Sequence, residues 1–157
     1  MPQVRSELVE VYIFRQQHGK REYLLLQRAA NETLYPNLWQ IVTGTLNKGE
    51  KALAGALREL EEETQLPYRK VWNVPIVNSF YNEQNDCVEF VTLFAAEIPD
   101  GNEPVLSQEH QLFQWLEFEE ASRLLPWPNQ RWALKVVDEF IGTQEIASQI
   151  SELKTIQ

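Results

Sequence analysis

The chain has 157 residues, a formal net charge of −9, five Trp, five Tyr, seven Phe and one cysteine. That length suits one domain with a real core, and the negative charge argues against a polymeric nucleic acid as partner, because binding its phosphates needs clustered Lys and Arg. No apolar run approaches the roughly 20 residues of a membrane span, MPQVRSELVEVYIF lacks the basic and long apolar regions of a secretory signal, and Cys87 alone closes no internal disulfide. The expectation is one soluble, cytoplasmic domain over residues 1–157, monomeric or homodimeric, with no membrane attachment.

In chain order, LVEVYIF (8–14) alternates as a strand and EYLLLQR (22–28) is a second apolar run, with the polar QQHGKR between them as a hairpin connection. NETLYPNLW (31–39) reads as a loop, with Asn31, Pro36 and Asn37 as breakers. A short strand is predicted at WQIVT (39–43), then a helix over 51–64. VWNVPIVNSFY (71–81) and DCVEFVTLFAAEI (86–98), rich in β-branched and aromatic residues, read as antiparallel partners. After the IPDGNEP loop come a short strand in FQWLEF (113–118), a short helix in FEEASRLL (118–125), and a longer amphipathic helix in NQRWALKVVDEFIG beyond the breakers Pro126 and Pro128.

The predicted helix over 51–64 concentrates negative charge in Glu59, Glu61, Glu62 and Glu63. Like charges three or four positions apart repel by roughly 0.2–0.5 kcal/mol per pair, so a compensating role is expected. With Glu59 at the origin and about 100° per residue, Glu62 falls near about 300° and Glu63 near about 40°, while Glu61 points away. Three carboxylates thus share an arc of about 100°. Leu53, Leu57 and Leu60 form the core-facing stripe, which places the carboxylate face beside the buried one. Ala52 and Gly55 leave space further toward the N-terminus, and a mid-helix glycine costs about 1 kcal/mol relative to alanine, so Gly55 implies a packing or functional reason. Clustered carboxylates suit hard cations such as Mg²⁺ or Mn²⁺; the plainer alternative is a solvated acidic helix face.

Spacing separates the two. Gly44, Glu50, Arg58, Glu59, Leu60, Glu62, Glu63 and Leu66 stand at the intervals of the signature of the Nudix hydrolases, a family this chain resembles. The one departure is Gln65, where the family has a glycine that caps the helix in a left-handed conformation. The resemblance implies an α/β fold, an α/β/α sandwich with a mixed β-sheet and a C-terminal helix. It also implies hydrolysis of a diphosphate linked to another moiety with Mg²⁺ or Mn²⁺ as cofactor. By the same resemblance Glu59, Glu62 and Glu63 are metal ligands, the Gly44 carbonyl is a further one, and Glu50 and Arg58 form the pair that orients loop and helix.

Other assignments remain open at the level of sequence. Glu109, in SQEHQLFQWL, is the candidate base or extra ligand, against a plain solvent carboxylate; His110 is read as a packing or hydrogen-bonding residue rather than a catalytic one. Arg28 ends a strand from which it reaches phosphate oxygens or makes a surface salt bridge. Tyr35, Trp39 and Gln40 are candidates to read an aromatic ring, with core packing the alternative for Trp39. The combination of WQ-any-VTG, Glu-His before QWL, and W-any-NQRWAL is similar to the dihydroneopterin triphosphate and dATP pyrophosphohydrolases within the family. That implies release of pyrophosphate from a nucleoside or pterin triphosphate, a small phosphate-anhydride substrate. Hydrolysis of a dinucleoside polyphosphate is the enzymatic alternative, and a nucleotide-sensing module without catalysis is the alternative of another class.

Overall fold

Alternation in the first strand builds a core on both sides of a sheet. In the computed structural model, which describes residues 1–142, 149 and 151–153, strand β1 (Gln3–Gln17) sends Val9, Val11 and Ile13 to one face and Tyr12 and Phe14 to the other, all buried. The first face packs on Ala56 and Leu60 of helix α1 (Ala52–Thr64). The second packs on Ala121 of α2 (Phe118–Leu124) and on Ala133, Leu134 and Val137 of α3 (Pro128–Gly142). This is the expected α/β/α sandwich. The C-terminal remainder of the expected domain, 143–148, 150 and 154–157, lies outside the described residues.

The remaining strands are β2 (Lys20–Arg28), β3 (Trp39–Gln40), β4 (Val42–Thr45), β5 (Lys70–Asn82), β6 (Cys87–Glu97), β7 (His110–Leu116) and β8 (Glu152–Leu153). The main path runs β3-β2-β1-β6-β5-β8, with β4 on β1 and β7 on β2. β5 and β6 are antiparallel as expected, whereas β1 and β6 run parallel, which makes the sheet mixed.

One irregularity positions the functional site. β1 and β2 pair only near their hairpin, Phe14–Gln17 against Lys20–Tyr23, across a two-residue turn in which His18 and Gly19 both have positive φ (52° and 75°). Beyond it they diverge. β3 pairs with Leu26 and Gln27 of β2, and β4 pairs with Leu8–Val11 of β1 on the edge that β6 leaves free. The expected single strand at WQIVT is thus two short strands that fill a fork, with Ile41 buried at the joint.

Two strand starts differ from expectation. β1 begins at Gln3 rather than Leu8, because Gln3–Arg5 extend the ladder to Cys87–Glu89 of β6, a backbone pairing that these unburied side chains do not reveal. β7 begins at His110 rather than Phe113, its first residue pairing with Arg28 across an irregularity.

Helix α1 follows the predicted span but is rolled relative to expectation. Its buried residues are Gly55, Ala56, Leu60, Glu63 and Thr64, with Leu53 and Leu57 half-buried at the rim, so Glu63 lies within the buried face rather than beside it. Gly55 has a packing reason: the Leu46 side chain lies where its Cβ would be, with the Glu50 carboxyl close beside that point. The helix ends at Gln65 in the left-handed conformation (φ 53°, ψ 23°), its amide donating to the Glu61 carbonyl. Thr64 Oγ1 donates to the Leu60 carbonyl at 2.6 Å and accepts from the Leu66 amide at 3.2 Å. Because a side chain there carries left-handed strain, Gln65→Gly should raise stability by up to about 1 kcal/mol. Urea unfolding checks this, and an unchanged or lower midpoint contradicts it.

Candidate active site

The site is built where the forked sheet meets the start of α1. The side chain of Glu59 lies directly against Gly44 of β4, in the space any Cβ there would fill. Glycine is required at this point by close approach, since its backbone is not in the left-handed region.

Arg58 ties the strand, the loop and the helix together. Its Nε donates to Glu50 Oε1 at 2.9 Å and its Nη2 to Glu50 Oε2 at 2.9 Å, a two-point pairing, and Nη2 also reaches the Thr45 carbonyl at 3.1 Å. Glu50 Oε2 accepts the Asn47 amide as well, at 2.8 Å, which closes the loop between β4 and α1. These bonds, Arg58 foremost, hold the Glu50 carboxyl at a pKa of about 2. Nη1 donates to Glu59 Oε1 at 2.7 Å and to Glu62 Oε2 at 3.2 Å. One guanidinium therefore orients three of the signature glutamates.

Glu63 differs from its neighbours. Burial, then the charges of Glu109 and Glu59, push its pKa up to about 9, with Arg28 pulling the other way. Its Oε2 is buried without a hydrogen-bond partner. Burial also raises the pKa of Glu59, against the lowering effect of Arg58. Charge is thus crowded at the surface that carries these acids, and a bound cation offsets such crowding. Among the described residues no three His, Cys, Asp or Glu groups close on one point as a finished cage. The oxygens of Glu59 and Glu62 are drawn to Arg58 instead. Small hard cations do not need a full protein cage, since they bind one or two carboxylates and complete the shell with water and phosphate. The carboxyl of Glu63, crowded by the charges of Glu109, Glu59 and Glu62, beside Glu59 pressed on Gly44, fits that donor set.

Glu109 is exposed in the turn before β7, held by its carbonyl, which accepts the Ala29 amide at 2.9 Å. Its charge is felt at both Glu59 and Glu63, so the fold brings it to the acidic helix face. Arg28 makes the salt bridge that was one of its two readings, Nη2 to Glu32 at 3.2 Å, and donates Nε to the Leu34 carbonyl at 2.8 Å. It also acts electrostatically on Glu63 and His110. Trp39 packs half-buried against the α2–α3 core, and the amide of Gln40 meets His110. Tyr35 is exposed in a left-handed conformation (φ 50°) and meets Trp127 edge-on, ring centroids 5.2 Å apart.

Sequence reasoning used Trp127 only as the first residue of W-any-NQRWAL and missed its contact with Tyr35, and it missed the clamp on the loop that leads to Glu109. There Glu103 accepts from Arg15 Nη1 and from Trp115 Nε1, both at 3.0 Å, while Arg15 also stacks over Trp115. Nothing in the local pattern around Glu103 signalled that contact.

Comparison with known proteins agrees with this geometry. Residues 7–140 match the NUDIX domain. The chain is 33% identical over 125 residues to the asymmetrical bis(5'-nucleosyl)-tetraphosphatase of Mus musculus, covering 76% of this chain and 80% of that protein. Among solved structures, a C. elegans Ap4A hydrolase binary complex superimposes with a TM-score of 0.74 at 24% identity, covering 88% of this chain and 99% of the other. The E. coli dihydroneopterin triphosphate pyrophosphohydrolase superimposes with a TM-score of 0.69 at 23% identity, covering 91% and 99%. With the domain matched over most of its length and the signature acids gathered at one helix face, the chain belongs to the NUDIX family and is a Nudix hydrolase acting on phosphoric anhydride bonds.

Proposed function

We propose that this enzyme is a Mg²⁺- or Mn²⁺-dependent pyrophosphohydrolase that converts a nucleoside or pterin triphosphate, of the dihydroneopterin triphosphate or dATP type, to the monophosphate and pyrophosphate. The observation that carries the choice is the contact between two sequence-distant segments of the triphosphate-type pattern. Gln40 of WQ-any-VTG lies 2.7 Å from His110 of the Glu-His loop.

In this reading Glu59, Glu62, Glu63 and the Gly44 carbonyl hold the cation. When bound, it supplies phosphate charge neutralisation and a water of lowered pKa. Arg58 and Glu50 orient the ligands. Glu109 accepts the proton of the attacking water, and Arg28, anchored through Glu32 and Leu34, binds the phosphate chain. Tyr35, Trp39 and Gln40 line the approach of the ring. If Glu109 is the base, Glu109→Gln should lower kcat by about 10²-fold or more with KM little changed. A large rise in KM at constant kcat makes it a binding residue instead.

The mouse relative supports a second reading, hydrolysis of a dinucleoside tetraphosphate. Incubation with Mg²⁺ and a panel of dihydroneopterin triphosphate, dATP, other nucleoside triphosphates and a dinucleoside tetraphosphate separates the two. Pyrophosphate plus a monophosphate from a triphosphate is the expected result, and Trp39→Ala should then change the order of preference among rings while leaving metal dependence unchanged. A triphosphate plus a monophosphate from the dinucleotide, with simple triphosphates untouched, establishes the second reading. Tight binding without cleavage of any compound establishes a sensing module.

A further inference from the structure

Two buried atoms without partners face each other inside the site. His110 Nδ1 and Glu63 Oε2 lie 4.0 Å apart, their side chains 0% and 4% exposed, and neither has a hydrogen-bond partner. On the far side of the ring, His110 Nε2 lies 2.7 Å from Gln40 Nε2. An amide nitrogen only donates, so the imidazole Nε2 accepts and the ring proton resides on Nδ1. Reversing the amide puts its oxygen on an Nε2–H and leaves a bare Nδ1, which meets a donor only where Glu63 Oε2 carries a proton. With Glu63 ionised, as a cation ligand is, the observed orientation is the one that gives both ends of the ring a complementary neighbour.

We infer that Gln40 and His110 form a positioning relay, in which Gln40 fixes the ring tautomer and the Nδ1–H of His110 faces the inner oxygen of Glu63, turning its other oxygen to the cation. The inference rests on Glu63 being a ligand and goes beyond it by assigning the part that aims it. At 4.0 Å the pair is about 1 Å beyond hydrogen-bond length, so in this structure the two atoms face each other without a hydrogen bond. Partners of this kind that orient a ligand typically change metal affinity by about 10–100-fold when lost. Three elements contribute: β3 carries Gln40, β7 opens with His110, and α1 brings Glu63 into its buried face. Their convergence also accounts for a polar glutamine at the joint of the forked strands.

The test uses the full chain without substrate. In the unmodified protein saturated with diamagnetic Mg²⁺, nitrogen-15 NMR of the imidazole should find the proton on Nδ1; a proton on Nε2 overturns the relay. Mn²⁺ binding, followed by electron paramagnetic resonance of the free ion, is then compared in two variants of similar melting temperature. His110→Asn places an amide nitrogen near the position of Nδ1, whereas His110→Gln places one near that of Nε2. Weakening by about 10–100-fold in His110→Gln, with His110→Asn close to the unmodified protein, is the expected result. Equal losses in both, or none in either, reduce His110 to a packing residue. Glu63→Gln separates the two levels: normal Mn²⁺ binding in it overturns the ligand assignment and the relay with it. Lost binding in Glu63→Gln beside normal binding in His110→Gln overturns the relay alone.

Discussion

Glu62→Gln should lower turnover by roughly 10²-fold or more while leaving the melting temperature nearly unchanged, since charge stabilisation in the transition state is worth that much in comparable sites. The separation of the two effects follows from where Glu62 stands. Its side chain is 57% exposed and its ion pair with Arg58 is long, at 3.2 Å. Exposed pairs contribute about 0–1 kcal/mol, and a glutamine oxygen still accepts from Arg58. What the amide removes is the negative charge that, under the proposed function, binds the cation. Steady-state rates at saturating substrate and Mg²⁺, read beside a thermal melt, check the prediction. Near-normal turnover removes Glu62 from the ligand set.

The reach of sequence reasoning differed from residue to residue for identifiable reasons. Alternation in LVEVYIF predicted a strand, and Val9, Val11 and Ile13 do oppose Tyr12 and Phe14 across the sheet. Absence of the capping glycine at Gln65 left open either a strained helix end or one formed differently, and that residue does adopt positive φ. These are local properties, carried by periodicity and by backbone preference. The roll of α1 was not legible. A helical wheel places carboxylates relative to leucines, but the sheet lies closest where side chains are smallest. Gly55 and Ala56 let the helix approach on their side, which draws Glu63 inward and leaves Leu53 and Leu57 at the rim. The fork of β1 and β2, the parallel pairing of β1 with β6, and the meeting of Gln40 with His110 depend on segments far apart in the chain. No window of sequence contains them.

Gly44→Ala should be the most damaging single-methyl change in the site. The added Cβ falls within the Glu59 side chain, and neither side yields easily: Gly44 is held in the ladder of β4 against Val9 of β1, while Glu59 is fixed by Arg58 at 2.7 Å. Overpacking of this kind costs about 1–3 kcal/mol. The effect on rate should exceed what stability explains. Relief requires α1 to move from β4 or Glu59 to leave its rotamer, and displacement of a positioned group by about 1 Å costs about 10²-fold. A second substitution distinguishes the two contributions. Glu59→Ala removes the obstructing side chain, so Gly44→Ala in that background should cost little stability, a coupling expected for residues in contact. Turnover should stay low in the double variant, because under the proposed function Glu59 is then missing as a ligand. Thermal melts and single-turnover rates on the four proteins of this cycle provide the check. Additive stability losses show that Gly44 and Glu59 do not share the space assigned to them, and recovery of turnover in the double variant shows that Glu59 only obstructs and does not bind the cation.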